Sequence, residues 1–194
     1  MVKHIITCAA IVAFLMGSTP LLAQVKYEKE SRQQENEVPP IALQFIDSLG
    51  LEVKVRWYLE EALDRTSVEA KFTLNKLKYS IEFDSTGYLE DVEIQKEWSE
   101  LDESLQETII DQFCEDCWKI SIKKVQIQYT GDRRVLWSIV SSGEGAEKFT
   151  KRYEIVVRCR TPKNTVLYEY LYSDAGQKLS RSKIVFSNSS NLEY

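Results

Sequence analysis

Two segments of this chain spell nearly the same phrase. Tyr79-Ser-Ile-Glu-Phe-Asp-Ser-Thr-Gly-Tyr-Leu stands in the first half and Tyr168-Glu-Tyr-Leu-Tyr-Ser-Asp-Ala-Gly-Gln-Lys-Leu near the other end. Each alternates aromatic or apolar residues with polar ones, reaches an aspartate followed closely by glycine, and resumes as a charged alternating stretch. That is the pattern of a β-hairpin whose turn needs glycine. The repetition predicts an α+β fold, a tandem repeat of a helix plus an antiparallel β-meander, with the helices on one face of the sheets.

The segments around each phrase extend the prediction. After Pro39-Pro40, the residues Ile41, Phe45 and Leu49, joined by Ile46, fall at helical spacing, and Gly50 is placed to stop the helix. Val53, Val55 and Trp57 follow in alternation, then Val68, Ala70, Phe72 and Leu74, then Tyr79, Ile81 and Phe83, and after Gly87 come Val92 and Ile94. A second helix is expected where Leu101, Leu105, Ile109 and Phe113 stand four apart, with Ser99 as its cap and Asp102 and Glu103 in its first turn. Ile120, Ile122, Val125, Ile127 and Tyr129 form an extended stretch whose phase changes at Lys123-Lys124, which predicts a bulge. Tyr153, Ile155, Val157 and Cys159 alternate again. The repeats span residues 39–97 and 98–187, the second carrying an insert near 130–148 in which 135–140 reads as an extra strand, and 188–194 is a polar tail.

The first 23 residues have the order of a secretory signal peptide: Lys3, an apolar run over 5–16, then small residues and proline. The run is too short for a membrane-spanning helix, which needs about 20 residues. Residues 24–38 are polar and charged and read as a flexible leader. These features predict a soluble periplasmic or secreted protein without a transmembrane segment, and a monomer. Removing Lys3 with the signal leaves 24 Lys plus Arg against 30 Asp plus Glu, a net charge of −6. An acidic balance with no long basic block argues against a nucleic-acid partner.

Together, the helix, the alternating strands and the Tyr-x-Ile-x-Phe-Asp-x-x-Gly-x-Leu phrase with its looser second copy at Ser173-Asp174-Ala-Gly176 resemble the PepSY-like proteins of bacterial envelopes, whose fold is likened to the β-lactamase-inhibitor protein. The resemblance covers roughly residues 38–186. It implies two helix-plus-sheet units side by side, a helix-free face left open as a shallow concave surface, and inhibitory or chaperone-like binding without catalysis. It transmits no catalytic residues.

Candidates for chemistry are few. Cys114-Glu-Asp-Cys117 could cycle between dithiol and disulfide in an oxidising compartment. Its position at the end of a helix and the acids between the sulfurs would raise the thiol pKa, so a structural disulfide between Cys114 and Cys117, or two half-buried thiols, is the reading taken. Cys159 shares the phase of Ile155 and Val157 and reads as a small buried hydrophobe; a three-thiol zinc site would need it to reach the pair. The one histidine, His4, lies in the signal, which removes Ser-His and Cys-His hydrolases and most zinc hydrolases from consideration. Paired acids such as Glu60-Glu61 and Glu90-Asp91 point to opposite faces of strands and read as solvated faces. Neither a cofactor nor a metal is expected. Tyr168, Tyr170 and Tyr172, with Tyr79 and Trp57, are either core or an aromatic binding surface, according to which row faces away from the helices. The function expected is a non-enzymatic binding module that recognises an envelope protein or peptide through the open sheet face. Its rivals are a thiol-disulfide redox protein using Cys114 and Cys117, and a binder of a small apolar ligand.

Overall fold

Apolar and polar residues alternate through most of this chain, and the strands they specify join into one ten-stranded sheet. The structure, a computed structural model, describes residues 5–7, 24–62, 65–142 and 148–186. In chain order the elements are β1 (Ile5–Thr7), β2 (Gln24–Gln33), α1 (Pro40–Ser48), β3 (Arg56–Glu61), β4 (Thr66–Leu74), β5 (Leu77–Asp84), β6 (Leu89–Gln95), α2 (Glu103–Asp116), β7 (Lys119–Gly131), α3 (Arg133–Ser142), β8 (Phe149–Arg160), β9 (Thr165–Ser173) and β10 (Lys178–Phe186). Single 3-10 turns at Glu35–Glu37 and Trp98–Glu100 lead into α1 and α2.

The expected tandem of separate helix-and-meander units is overturned by the pairing. β6 bonds to β7 in register, Val92 opposite Tyr129 and Ile94 opposite Ile127, so the ladder runs without a break from the first hairpin phrase into the strands of the second. The result is one mixed sheet with three helices. Its strands run β1-β7-β6-β5-β4-β3-β2-β10-β9-β8, and β7 also pairs with β8, so nine of them close on themselves. Closure satisfies strand edges that would otherwise present unpaired N–H and C=O groups.

The segment expected to be a flexible leader makes that closure. β2 pairs antiparallel with β3 and parallel with β10, the parallel junction of the sheet. None of the described side chains of β2 is buried. Ion pairs flank it instead: Lys26 with Glu169 at 2.8 Å, Glu30 with Lys71 at 2.8 Å, and Lys29 with Glu61. The signal-peptide reading falls almost wholly outside the described residues; only Ile5–Thr7 is described, paired with Lys119 to Ser121 of β7. The tail over 188–194 lies outside them too.

Residues 135–140, expected to be a strand, are helix α3. Val135, Leu136, Ile139 and Val140 are all buried, and their spacing of one, three and one is helical. The first helix begins at Pro40, whose missing N–H is an orphan at that position in any case, and ends before Gly50 at φ +59°. The second helix has Asp102, not Ser99, at its N-cap and buries Leu105, Ile109 and Phe113. The phase change at Lys123-Lys124 is a register shift between Ile122 and Lys124 in the β7–β8 ladder.

All three helices take the same face of the sheet. Phe45 of α1 and Leu136 of α3 pack with Trp57, Phe83 and Ile81 in one apolar cluster. Ile109 and Phe113 of α2 pack with Ile155, Tyr170 and Tyr172 in a second. Each hairpin glycine lies under a helix: a Cβ on Gly87 would come within 2.8 Å of Pro39 Cβ, and one on Gly176 within 2.8 Å of Leu105 Cδ1.

Candidate functional site

Because strand side chains alternate, everything not turned toward the helices lines the opposite face. On β4 that row is Ser67, Glu69 and Lys71; on β5, Ser80 and Glu82; on β6, Asp91 and Glu93; on β7, Gln126 and Gln128; on β8, Arg152 and Glu154. The register confirms the row, with Glu69 opposite Glu82, Ser80 opposite Glu93, Glu93 opposite Gln128, and Gln126 opposite Glu154. Ser67, Glu69, Ser80, Asp91, Glu93 and Gln126 are nonetheless buried. No helix packs over them, so the cover comes from the closed sheet itself, curving around its own polar face.

The open, shallow surface expected on the helix-free side is therefore replaced by an inward-curving acidic one. Asp91, expected on a solvated strand face, is buried instead. Its carboxyl is pushed well above the usual carboxylate range, first by burial and then by Glu82, Glu154 and Glu90. Glu93 is raised in the same way by burial, Glu154 and Asp91, with Lys124 acting in the opposite sense. Glu69 is better provided for: Ser80 Oγ donates to it and Lys71 Nζ stands 2.8 Å away. The Lys71 ammonium, shared between Glu69 and Glu30, is held well above its ordinary value by those carboxylates even though burial opposes it.

Two glutamines on β7 partly compensate the acids of β6. Gln126 Nε2 donates to Glu93 Oε2 at 2.6 Å, and Gln128 Nε2 donates to Asp91 Oδ2 at 3.1 Å. That arrangement leaves Gln126 Oε1, Gln128 Oε1 and Asp91 Oδ1 buried without a partner. With Asp91 ionised, all three are acceptors. Among the described residues, no three His, Cys, Asp or Glu side chains converge closely enough to hold a metal ion.

The aromatic candidates lie elsewhere. Trp57, Tyr79, Tyr170 and Tyr172 are buried on the helix side. Phe113 meets Tyr170 and Tyr172 edge-on at 5.0 and 5.8 Å, and Phe72 stacks on Tyr79 at 5.2 Å. Tyr168, half-buried, packs on Tyr170 and carries the Arg181 guanidinium over its ring at 5.0 Å. The tyrosine row is core because α2 needs an apolar sheet face to cover, and that face is the one the row occupies.

The cysteine pairing also differs from the sequence reading. Cys117 is bonded to Cys159, their α-carbons 5.4 Å apart, rather than to Cys114. Among the described residues no cysteine is free. The alternation of β8 turns Cys159 toward α2, as expected of a buried residue, but it arrives beside the C-terminus of that helix. Asp116, next to Cys117, gathers Arg181 at 2.6 Å, Lys178 at 3.0 Å and the Tyr170 hydroxyl, which donates at 3.2 Å. This end of α2 is thus fastened covalently and by charge. Two surface depressions, of about 370 and 320 Å³, are rimmed by Arg158, Asn164 and Lys183 and by Asp102, Lys151 and Asp174 respectively. Val166, Leu167 and Ile184 also line the first, so its wall is mixed polar and apolar.

What sequence reasoning missed was the site on the polar face. The signal was present in the acids and glutamines that alternate with Val92, Ile94, Val125 and Ile127, but their burial depends on how the sheet curves.

Among the described residues no helix is long and apolar enough to cross a membrane. No family model matches the chain. No curated protein matches it either. Two crystal structures align with it. One, a DUF2874 family protein from Bacteroides ovatus, is 12% identical, covering 75% of this chain and 87% of the other, at a TM-score of 0.48. The other, from Bacteroides eggerthii and provisionally named periplasmic, is 11% identical, covering 75% of this chain and 88% of the other, also at 0.48.

Proposed function

We propose that this protein is a non-catalytic binding module of the periplasm or extracellular space, and that it takes a peptide or an extended protein segment against the helix-free face of its sheet. The observation that carries this reading is the polar row itself: Asp91, Glu93 and Gln126 in it are buried, with acceptors of Asp91 and Gln126 left unpartnered, while the aromatic candidates Trp57, Tyr79, Tyr170 and Tyr172 are committed to the core on the helix side. A buried polar group without a partner costs about 1–3 kcal/mol, so a row of them is more readily understood as a surface awaiting a ligand than as a means of stabilising the fold. The signal-like first segment supports the compartment. β2 supplies a route in, since ion pairs and backbone hydrogen bonds fasten it with none of its described side chains buried, and an extended segment can pair with strands exposed where it parts. The rival redox reading loses its dithiol, because Cys117 is committed to Cys159.

The test is selection of binders from a random-peptide display library on the mature chain, followed by mapping of the bound peptide by amide chemical shifts. The expected result is enrichment over an unrelated acidic protein, with shifts concentrated on β4 to β8 around Glu69, Glu93 and Gln126. Binders that map to α1, α2 or α3, or no enrichment at all, overturn the reading.

A further inference from the structure

The acceptors left without partners on the polar face have a geometry that selects a particular chemistry. Asp91 and Glu93 are two residues apart on β6 and so share a face, and Gln126 and Gln128 are two apart on the neighbouring β7. Each glutamine turns its amide nitrogen to one carboxylate, Gln126 to Glu93 at 2.6 Å and Gln128 to Asp91 at 3.1 Å. An amide so oriented has no choice about its other end, because the oxygen must point away from the carboxylate it serves. Gln126 Oε1 and Gln128 Oε1 are accordingly unpartnered, as is Asp91 Oδ1. Gln126 is 4% exposed and Asp91 6%, so bulk water does not solvate these atoms freely.

We propose that Asp91, Glu93, Gln126 and Gln128 form a receptor for a single ammonium or guanidinium group, supplied by a lysine or arginine side chain of the bound segment. An ammonium brings three donors and a guanidinium five, with no acceptor to conflict with the oxygens already there. A neutral hydroxyl or amide would satisfy at most part of the set and leave the charge of the two acids unopposed. Burial first, and then repulsion from Glu154 and neighbouring acids, raises Asp91 and Glu93, and the repulsive part falls when a cation enters. Among the described residues, neither Lys71 nor Arg152, the cations of this row, forms an ion pair with Asp91 or Glu93, although Arg152 stands opposite Gln128. Lys71 is engaged with Glu69 and Glu30, and Lys124 acts on Glu93 from a distance without an ion pair among the described residues. Around Asp91 and Glu93, the side chains of Glu82, Gln128 and Glu154 are half-buried rather than buried.

The inference rests on the peptide-binding reading but fails separately from it. The mature chain is titrated by calorimetry and amide shifts with n-butylammonium, n-butylguanidinium and butanol, and with the capped peptide Ac-Thr-Val-Lys-Val-Thr-NH2 beside its norleucine counterpart. The variants are Asp91→Asn and Glu93→Gln, each of which removes a buried charge while keeping an oxygen for its glutamine partner; thermal unfolding verifies that they fold. Expected are binding of both cations but not of butanol, at least tenfold tighter binding of the lysine peptide than of the norleucine one, and at least a tenfold loss in either variant. Equal binding of the two peptides overturns the cation receptor and leaves the peptide reading standing. Binding of the free cations without the peptide assigns the site to a small amine and overturns the side-chain source. Indifference of every probe to both variants means that the orphan oxygens are merely hydrated, and it overturns the receptor altogether.

Discussion

Cys117, the residue that ends α2, is bonded to Cys159 on β8 across a sequence separation of 42 residues. The link ties the helix to the strand it covers. Closing a loop of that length stabilises a fold by about 4 kcal/mol on the chain-entropy argument. Cys159→Ala is therefore expected to lower the unfolding free energy by about 2–4 kcal/mol, read as a shift of the urea midpoint. Peptide mapping under non-reducing conditions should recover Cys117 and Cys159 in one linked fragment; a fragment linking Cys117 to Cys114 would contradict the structure.

The turn glycines should not be equally replaceable. Gly50, Gly87 and Gly176 all have positive φ, but only the last two lie against a helix. Gly50→Ala should cost about 1 kcal/mol, the conformational strain alone. Gly87→Ala adds a clash with Pro39 Cβ at 2.8 Å and with the Ala42 backbone nitrogen at 3.1 Å, neither of which is a flexible side-chain end. It should cost about 2–3 kcal/mol or more. Equal melting temperatures for the two variants would refute the packing argument.

Tyr170 and Tyr172 point the same way from one strand and are both fully buried, yet their hydroxyls differ. That of Tyr170 donates to Asp116 at 3.2 Å, whereas that of Tyr172 has no partner. Tyr170→Phe should destabilise by about 1–2 kcal/mol, and Tyr172→Phe should be neutral or stabilising by up to about 1 kcal/mol. Chemical denaturation of the two variants distinguishes them, and the reverse order would show that the hydroxyl network is assigned wrongly.

The inward acids make stability depend on pH in a stated direction. Asp91 and Glu93 have folded-state values raised above those of the unfolded chain, so the native protein binds more protons than the unfolded one between the two values. Their contribution is fully favourable below the ordinary carboxylate range and is lost as pH climbs through the raised values. Glu69, Glu82, Glu90 and Glu154 add negative charge to the surroundings; Lys71, Lys124 and Arg152 oppose it. Asp91→Asn is expected to raise stability by on the order of 1 kcal/mol at pH 8 and by less at pH 4. Melting curves across that range check the slope, and an equal gain at both ends would mean that Asp91 is not the group responsible.

Much of the local structure was legible in the sequence. Leu105, Ile109 and Phe113 announced α2, the Asp-to-Gly phrases announced the β5–β6 and β9–β10 hairpins, and the phase slip at Lys123-Lys124 announced the bulge in β7. Each is decided within a few residues by backbone sterics and by the period of the apolar stripe. α3 was misjudged because Val135, Leu136, Ile139 and Val140 form a short apolar run rich in β-branched residues, a composition that serves strands as readily as buried helices.

The helices α1 and α2, the hairpins around Gly87 and Gly176, and the residues that share a face were settled by the chain's own pattern, since alternation and turn chemistry act between neighbours. Three things were left to the tertiary structure: that β2 joins β3 to β10, that Cys117 meets Cys159, and that the Asp91 and Glu93 face turns inward. A period of two states which side chains stand together but carries no information about curvature. Whether a row of acids meets water or its own sheet depends on pairings between residues far apart in the chain, and those form only when the whole sheet closes.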